Sequence, residues 1–233
     1  MSAQGLNLQH VSYKKLTKTI LNDITVEIPL GRLVVLLGEN GVGKTTLMRV
    51  ISDLNKGYQG KISLAGIGDE RRKSLISYSD DLTSFRSKAT LSDIIAFYQQ
   101  GYPDFDLKRV NELLNFMRLD PLQRLGSLSK GNREKLIIAL TLARRTKLYL
   151  LDEPLSGVDI FSRDKIISSL VKWIDHDSLL IISTHHLSEL EQVIDDVLIL
   201  KDQRLLEYRN VEDIRQNEGL SVEEYYRQTY LEN

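Results

Sequence analysis

The chain has 233 residues, of which 42% are hydrophobic and 27% are charged, and its formal net charge at pH 7 is -1. This composition is typical of a globular protein with a substantial buried core; it excludes an intrinsically disordered chain and argues against a strongly basic surface for nucleic acid. The sequence contains no cysteine, which excludes a disulfide framework and a thiolate metal site and suits a reducing compartment.

The N-terminal part of the chain predicts short strands around one glycine-rich turn. Alternating apolar residues in "ILNDITVEI" and the apolar run "RLVVLLG" are typical of strands, and "LNLQHVSY", "GKISLAG" and "LISYS" are further candidates. The turn follows "RLVVLLG" and leads into a helix that we predict over about 43–53. The start of the chain, "MSAQGLNLQH", lacks the charged flank and the apolar core of a secretory signal.

The middle of the chain changes to helical periodicity, and the last part returns to alternating elements. Within 90–146 we predict helices at "TLSDIIAFYQQG", at "DLKRVNELLNFMRL" and over 129–145. Strands follow at "KLYLLDE", "SLLIIST" and "DVLILKDQRLLEYR", with helices after Val158, near Glu189 and in the amphipathic tail "SVEEYYRQTYLEN". This alternation predicts a mainly parallel sheet with helices on its faces, interrupted by a helical insertion. No apolar run reaches the roughly eighteen residues of a membrane-spanning helix.

The sequence "GENGVGKTT" fits the phosphate-loop pattern of Gly, four residues, Gly-Lys and Ser or Thr, and it lies between a predicted strand and a predicted helix. Its glycines let backbone amides curl around an anion at the positive end of the helix. The Lys44 ammonium can reach the β and γ phosphates of a nucleoside triphosphate, and the Thr45 hydroxyl can bind Mg²⁺. An ordinary glycine-rich turn is the alternative, which the position between strand and helix disfavours. The predicted nucleotide-binding residues of this loop are Gly38, Glu39, Asn40, Gly41, Val42, Gly43, Lys44, Thr45 and Thr46.

Two carboxylates follow the apolar strand "LYLL", where open α/β sheets place their ligands. We predict that Asp152 binds Mg²⁺, directly or through water, and that Glu153 orients and polarises the attacking water. A strand that simply ends in Asp-Glu before a proline turn is the alternative, which the phosphate loop disfavours. The strand "LLIIS" ends beside the same edge, so that Thr184 and His185 emerge there. His185 is placed to contact a γ phosphate, and with Lys44 and Glu153 it completes the predicted catalytic set.

The stretch "LSKGNREKLIIALTLARR" places Ser129, Gly131 and Asn132 at the start of a predicted helix. The simplest interpretation is an N-cap, because Ser129 can accept a hydrogen bond from the orphan amides of the first turn and Gly131 loosens the entry. The stretch contains more hydrogen-bonding groups than an N-cap needs. Its role is therefore left open by these residues alone.

The order of these motifs resembles the ATP-binding subunits of ABC transporters, and the resemblance covers essentially the whole chain. In the family's terms "GENGVGKTT" is the Walker A loop, "LSKGNREK" the signature loop, "LYLLDEP" Walker B, "SGVD" the D-loop and "STHH" the switch-histidine loop. The resemblance implies an α/β fold, with a P-loop NTPase core of mainly parallel sheet, an antiparallel β layer and an inserted α-helical subdomain. It implies a single domain, 1–233, with a nucleotide-binding core at 1–80 and 147–210, a helical subdomain with the signature loop at 81–146 and a C-terminal helical tail at 211–233.

The resemblance also implies an ATPase that uses ATP and Mg²⁺ and works in pairs. Two cassettes, as a homodimer or as a heterodimer with a second ABC ATPase, clamp ATP head to tail between the Walker A loop of one and the signature loop of the other. Ser129, Gly131 and Asn132 then bind the γ phosphate across an interface that Gly157 and Asp159 line. Hydrolysis lets the pair open and moves a transmembrane permease on a separate chain. The implied location is the cytoplasmic face of the plasma membrane, with no nucleic-acid partner.

Two motifs depart from the family pattern. Lys130 stands where the family carries Gly, and Asn132 stands where it carries Gln. Such variants resemble those in small bacterial cassettes of export-type systems, and this resemblance points to export. In "LISYSDDLTSF" the family's Q-loop glutamine is replaced by Asp81, or by Asp80 in a shifted register. A carboxylate there can still bind Mg²⁺ or water, so Asp81 joins the predicted metal ligands.

The residue that stacks on adenine depends on the register of "HVSYKKL". In one register it is Tyr13, whereas the other register places Lys15 or Leu16 there. A tyrosine that alternates with apolar residues is otherwise a core residue. Tyr13 is the predicted adenine-binding residue, with the core as its alternative.

Two other functions are compatible with this family. One is a soluble ABC-type ATPase that acts without transport, although translation-type members carry two cassettes per chain and chromosome-type members carry long heptad insertions, and this sequence shows neither. The other is a nucleotide-dependent regulator with weak turnover. The Asp81 departure keeps that function open, whereas Glu153 and His185 favour hydrolysis.

Overall fold

The computed structural model describes residues 5–79 and 81–232. The strands are β1 (Gly5–Lys15), β2 (Lys18–Pro29), β3 (Leu33–Leu37), β4 (Gln59–Leu64), β5 (Ile76–Tyr78), β6 (Leu148–Asp152), β7 (Leu179–Ser183), β8 (Asp196–Lys201) and β9 (Arg204–Asn210). The helices are α1 (Lys44–Ile51), α2 (Asp69–Arg72), α3 (Leu91–Gly101), α4 (Leu107–Met117), α5 (Lys130–Leu142), α6 (Ile160–Trp173), α7 (Leu187–Leu190), α8 (Val211–Asp213) and α9 (Val222–Glu232). The helices predicted around the phosphate loop, in the middle of the chain and in the tail are thus confirmed, and "DVLILKDQRLLEYR" forms the hairpin of β8 and β9.

The strands form two sheets, which confirms the predicted fold class. An antiparallel sheet has the order β2-β1-β4, and a six-stranded sheet has the order β5-β6-β7-β3-β8-β9, in which β8 and β9 pair antiparallel and the other neighbours pair parallel. Because β6, β7 and β3 are adjacent and parallel, the residues that follow them meet at one edge of the sheet. The register places Ser183 of β7 opposite both Asp152 of β6 and Leu36 of β3.

The central strand β3 is buried on both faces, as its continuous apolar sequence predicts. Val35 and Leu37 pack into one core cluster with residues of α3, α4, α5 and α6. Val34 and Leu36 pack into a second cluster with α1 and the antiparallel sheet. Close packing on both sides therefore fixes the strand that carries the phosphate loop.

The helical insertion packs onto the six-stranded sheet. Helices α3, α4 and α5 lie within the predicted subdomain of 81–146, and their apolar residues join the core cluster of the sheet. The boundaries of the subdomain and of the tail stay a prediction. Among the described residues, no helix combines the length and the hydrophobicity that crossing a bilayer requires.

Candidate functional site

The loop that follows β3 requires glycine at two positions. Gly38 has φ 146° and Gly43 has φ 119°, which residues with a side chain rarely adopt. A Cβ on Gly38 would lie 2.6 Å from the Leu200 carbonyl oxygen, and a Cβ on Gly43 would lie 2.9 Å from the Ile20 carbonyl oxygen. The neighbouring backbone therefore leaves no room for a side chain at either position, so both ends of the loop require glycine, as the phosphate-loop pattern predicts.

Helix α1 begins at the end of this loop, and its N-terminus differs from those of the other long helices. Its N-cap is Gly43, which offers no side-chain hydrogen bond to the first turn. The helices α3, α4, α5 and α6 are each capped by a side chain of their own, from Thr90, Asp106, Ser129 and Asp159, respectively. The first-turn amides of α1 are therefore available to an anion, at the positive end of the helix dipole.

The Lys44 ammonium lies inside the loop. Lys44 is 7% exposed, and its Nζ donates hydrogen bonds to the carbonyl oxygens of Gly38, at 2.6 Å, and Glu39, at 3.2 Å. Burial lowers the pKa of Lys44, while the nearby charges of Glu153 and Asp152 oppose this shift. The ammonium is thus surrounded by loop carbonyls and the two predicted carboxylates, where a phosphate can take over its hydrogen bonds.

The two carboxylates are positioned by Ser183, a residue that sequence analysis missed. Ser183 is fully buried, and its Oγ donates to Asp152 Oδ1 at 2.6 Å and accepts from the Glu153 amide at 3.0 Å. The Tyr78 hydroxyl, also missed, donates to Asp152 Oδ2 at 3.4 Å. The only sequence signal for Ser183 is a small polar residue at the end of an apolar strand.

Glu153 and His185 meet at the edge of the sheet and connect it with the phosphate loop. Glu153 has φ 52°, a left-handed conformation that costs a non-glycine residue about 1 kcal/mol or more. Its Oε1 lies 3.1 Å from Nε2 of His185, and the same Nε2 lies 2.7 Å from Oδ1 of Asn40. Because both oxygens accept hydrogen bonds, Nε2 carries a hydrogen. His185 therefore links the predicted catalytic carboxylate to the predicted nucleotide-binding loop.

The predicted Mg²⁺ ligands are the Thr45 hydroxyl and the carboxylates of Asp152 and Asp81. Thr45 is exposed in the first turn of α1; Asp81 is exposed too, and its Oδ1 accepts from the Thr83 amide at 2.9 Å and from the Thr83 hydroxyl at 2.6 Å. The alternative position, Asp80, lies outside the described residues. Within 5–79 and 81–232 no three His, Cys, Asp or Glu side chains cluster closely enough to hold a metal ion. This donor set fits Mg²⁺, which usually binds through one or two carboxylates together with phosphate and water oxygens.

The predicted signature loop forms an N-cap in this structure. The Oγ of Ser129 accepts from the Asn132 amide at 3.2 Å, which confirms the capping interpretation. A Cβ on Gly131 would lie 3.0 Å from a carboxylate oxygen of Asp159. Glycine at this position therefore lets the signature loop pack closely on the D-loop of its own chain.

The signature loop is separate from the phosphate loop. In the part of the chain that the structure describes, the hydrogen bonds of Ser129 and Asn132 stay within α5, and none of them reaches the phosphate loop. The residues that the structure does bring together are Asn40, Lys44, Asp152, Glu153 and His185. One chain thus provides one continuous group of predicted site residues and a second, detached group.

Tyr13 lies within β1. It is half-buried, pairs with Leu21 of β2 and packs against the core cluster of the antiparallel sheet. Leu16, in the turn between β1 and β2, is 96% exposed. The packing of Tyr13 matches the core alternative, and its contact with adenine stays a prediction.

Comparisons with known proteins identify the family of this chain. The model of the ABC transporter family matches residues 21–156, which include the phosphate loop, the signature loop and both carboxylates. The chain is 28% identical over 201 residues to the ABC transporter ATP-binding protein YtrB of Bacillus subtilis (strain 168), covering 84% of this chain and 69% of YtrB. It is 30% identical over 217 residues to the aliphatic sulfonates import ATP-binding protein SsuB 1 of Xanthomonas axonopodis pv. citri (strain 306), covering 87% of this chain and 83% of the relative. Other relatives carry names of export as well as import proteins.

The fold is shared with a solved structure of an ATP-binding subunit of an ABC transporter. The TM-score is 0.83 at 24% sequence identity, and the alignment covers 96% of this chain and 98% of that chain. The family match spans more than half of the chain and includes the loop whose amides and lysine suit a phosphate. The chain therefore belongs to the ABC transporter family, in which it is an ATP-binding subunit that hydrolyses ATP.

Proposed function

We propose that this subunit pairs head to tail with a second cassette around ATP and Mg²⁺ and drives a membrane-spanning partner on a separate chain. The second cassette is another copy of this chain or another ABC ATPase. The observation that carries the proposal is the separation of the signature residues from the phosphate-loop residues within one chain. A γ phosphate held by Lys44 is enclosed only when a second chain supplies its Ser129.

The surface beside the signature loop supports this pairing. Ile160 and Phe161, which directly follow the D-loop, are 66% and 80% exposed. Large exposed apolar side chains beside a ligand-binding loop are typical of a surface that becomes buried on association. The Ser129 Oγ accepts the capping hydrogen bond from the Asn132 amide. Its hydroxyl hydrogen can therefore be donated to a phosphate on the other chain.

The residues of the phosphate-loop side have distinct tasks in this proposal. When the nucleotide binds, Lys44 Nζ gives up its hydrogen bonds to the two loop carbonyl oxygens and donates to β and γ phosphate oxygens instead. Glu153, held by Ser183 and His185, orients the attacking water and accepts its proton. The Nε2 hydrogen of His185 keeps the carboxylate aligned and can turn toward the γ phosphate. Cleavage removes the group that joins the two chains, and the pair opens.

The proposal assigns Mg²⁺ to Thr45 and Asp152. When bound, Mg²⁺ neutralises charge on the β and γ phosphate oxygens. Asp152 is oriented for this task by Ser183 and Tyr78, which hold its two carboxylate oxygens. Asp81, in the place of the Q-loop glutamine, is assigned to the metal or to its water shell.

The helical insertion carries a partly exposed aromatic patch that suits a protein partner. The patch consists of Phe85, Phe97, Tyr98 and Tyr102; the rings of Phe85 and Phe97 are 5.2 Å apart, and Phe97 is 59% exposed. ATP-binding subunits of this family work with membrane-spanning partners. The patch follows Asp81 closely in sequence, so a partner docked there can be moved when the nucleotide site changes shape.

We propose export as the direction of transport and the cytoplasmic face of the plasma membrane as the location. The support for export is the pair of substitutions in the signature loop, Lys130 and Asn132, which resemble export-type cassettes. Relatives with import names and relatives with export names both match the chain. The direction therefore rests on these two residues.

Co-purification from detergent-solubilised membranes tests the partner. We expect the wild-type chain to retain a membrane-spanning protein and Phe97→Glu to lose it, because the substitution places a charge in the aromatic patch, while ATP binding is retained. Val171→Glu on α6 is the matched control, since Val171 is 61% exposed and lies outside the patch. If both variants lost the membrane-spanning protein, or if neither did, docking at the patch would be contradicted.

The variant Glu153→Gln tests the pairing. It keeps the shape of the side chain but removes the carboxylate that accepts the proton, so we expect turnover to fall about 100-fold or more while ATP binding is retained. In size-exclusion chromatography it should elute as a dimer with MgATP and as a monomer with MgADP. Glu112→Gln, on the exposed face of α4, makes the same substitution away from the site. Elution of Glu153→Gln as a monomer with MgATP would refute the proposed pair.

A further inference from the structure

The D-loop, residues 156–159, is fixed to the first turn of α6. Its last residue, Asp159, is the N-cap of that helix, and Asp159 Oδ1 accepts a hydrogen bond from the Ser162 amide at 3.0 Å. Arg163, one residue further along α6, donates from Nε to the Val158 carbonyl oxygen at 2.7 Å. The D-loop backbone and the Arg163 guanidinium therefore hold each other in place.

The other end of the Arg163 guanidinium contacts the loop that carries His185. Arg163 Nη1 lies 3.3 Å from His186 Nδ1, within hydrogen-bonding distance, and it also donates to Glu189 Oε1 in α7. Because a guanidinium can only donate, His186 Nδ1 is the acceptor and carries no hydrogen. Arg163 is 21% exposed, so these contacts are largely shielded from water. One side chain thus joins the D-loop to the residue that follows His185.

A movement of His186 reaches His185 through a short, fixed turn. The His186 amide donates to Thr184 Oγ1 at 2.9 Å, and Thr184 is buried, so this hydrogen bond spans His185. The His185 ring, through Nε2, contacts Glu153 Oε1 at 3.1 Å and Asn40 Oδ1 at 2.7 Å. A shift of this turn therefore changes how His185 meets the catalytic carboxylate.

We propose that Arg163 is a positioning residue for His185, which couples the switch-histidine loop to the D-loop of the same chain. When the D-loop moves, the guanidinium moves with it and carries His186, and the His185 ring changes its alignment with Glu153. The coupling rests on the pairing proposed above, because the D-loop lines the face where the second cassette docks. Arrival of the second chain thus sets the histidine of the first chain through the arginine of that first chain.

The variant Arg163→Lys in the full chain tests the proposal. It keeps the positive charge, but an ammonium lacks the planar fork that reaches the Val158 carbonyl and His186 at the same time. We expect kcat to fall about tenfold, because a small misplacement of a catalytic group lowers the rate, while the Kd for ATP stays at the wild-type value. The ¹H–¹³C signal of the His185 ring should shift in the nucleotide-free chain.

The variant Gly157→Ala tests whether the D-loop acts through Arg163. Gly157 has φ 66°, and a Cβ there would clash with the Lys130 ammonium, so the substitution displaces the D-loop. We expect it to shift the His185 signal in the wild-type background and to add no further shift in the Arg163→Lys background. An equal additional shift in both backgrounds would overturn the proposed coupling.

Arg209→Lys is the matched control for stability. Arg209 lies on β9, is 34% exposed, and has Nη1 at 3.4 Å from Glu207 Oε1 and Nη2 at 3.3 Å from Glu218 Oε1. We expect it to lower thermal stability about as much as Arg163→Lys does, with wild-type kcat and an unchanged His185 signal. A wild-type kcat or an unchanged His185 signal in Arg163→Lys would overturn the proposal, and so would an equal fall of kcat in both variants.

Failure of the pairing and failure of the coupling give different results. If Glu153→Gln elutes as a dimer with MgATP and Arg163→Lys keeps the wild-type kcat, the pairing stands and the role of Arg163 is refuted. If Glu153→Gln stays a monomer with MgATP, the pairing is refuted, and the coupling to a second chain falls with it. In that case a shifted His185 signal in Arg163→Lys would still support the contact within one chain.

Discussion

The phosphate loop and the signature loop both start a helix, but they use their first-turn amides differently. The N-cap residue of α1 is Gly43, which provides no side-chain cap, whereas that of α5 is Ser129, whose Oγ accepts a hydrogen bond from a first-turn amide. A loop that leaves its amides open is an anion site, and a capped loop offers an anion mainly its hydroxyl and side-chain donors. The first loop can bind a nucleotide alone. We propose that the second adds hydrogen-bond donors to a phosphate that is already held.

The two regions also differ in how far their contacts extend. On the phosphate-loop side, one set of contacts runs from Asn40 through His185 to Glu153, and from there through Ser183 to Asp152. On the signature side, the hydrogen bonds of Ser129 and Asn132 stay within α5, and Arg133 of the same motif donates to the Asp81 carbonyl oxygen at 2.9 Å. We therefore expect changes in the connected set to disturb catalysis in each chain, and changes in the signature loop to disturb the pair.

Of the two regions, the larger effect is expected on the phosphate-loop side, from Ser183→Ala, which breaks the connected set at its centre. The substitution removes a hydrogen bond from Asp152 and one of the two that the Glu153 amide makes, leaving the one to the Ser183 carbonyl. Because Glu153 is held in a left-handed conformation, its carboxylate is expected to move when the support is lost, and a misplacement of about 1 Å can lower kcat about 100-fold. Steady-state kinetics and equilibrium binding should show a loss in kcat with little change in the Kd for ATP.

Ser178→Ala controls for stability in that experiment. Ser178 lies just before β7, is also buried, and donates from Oγ to the Thr146 carbonyl oxygen at 2.7 Å. Each variant loses buried serine hydrogen bonding, which is expected to lower the free energy of unfolding by about 1 to 3 kcal/mol. If both variants lowered kcat to the same extent, the effect of Ser183 would be one of stability, and the comparison between the two regions would lose its basis.

The same comparison explains which residues could be predicted from the sequence. Lys44 and Thr45 lie within one short motif, and Asp152 directly ends an apolar strand, so local patterns were enough to propose them as site residues. Ser183 and Tyr78 reach Asp152 from two different strands. The register that sets Ser183 opposite Asp152 is a property of the assembled sheet, which neither strand specifies alone.

Two tyrosines, Tyr230 and Tyr13, also show that local patterns do not specify contacts made in the folded chain. The tail was correctly predicted to be a helix, but the hydrogen bond from Lys201 Nζ to the Tyr230 carbonyl oxygen depends on where Lys201 lies in the folded chain. Tyr13 stands in a strand pattern that suits a core residue and a ligand contact equally. Its packing against the core cluster was therefore visible only in the structure.

A smaller effect is expected on the signature side, from substitution of Ser129 in the Glu153→Gln background. Ser129→Ala removes both the cap and the hydroxyl donor. We expect monomer stability to fall by about 1 kcal/mol, as for other lost caps, and the dimer dissociation constant in MgATP to rise about tenfold, because a hydrogen bond to a charged group is lost. Analytical ultracentrifugation measures the second quantity. The Kd for ATP of the isolated chain should stay unchanged, in contrast to Lys44→Ala, which removes the ammonium that meets the phosphates.

The variant Ser129→Asp separates the two roles of this serine. An Asp side chain caps a helix about as well as Ser does, but an ionised carboxylate cannot donate a hydrogen bond, and its charge repels a phosphate. If Ser129 only caps α5, Ser129→Asp should pair as well as its parent, and only Ser129→Ala should be impaired. If Ser129 donates across the interface, Ser129→Asp should keep the stability of the monomer and yet pair more weakly than Ser129→Ala. The order of these two variants in the dimer assay therefore decides whether the signature loop serves its own helix alone or a second chain as well.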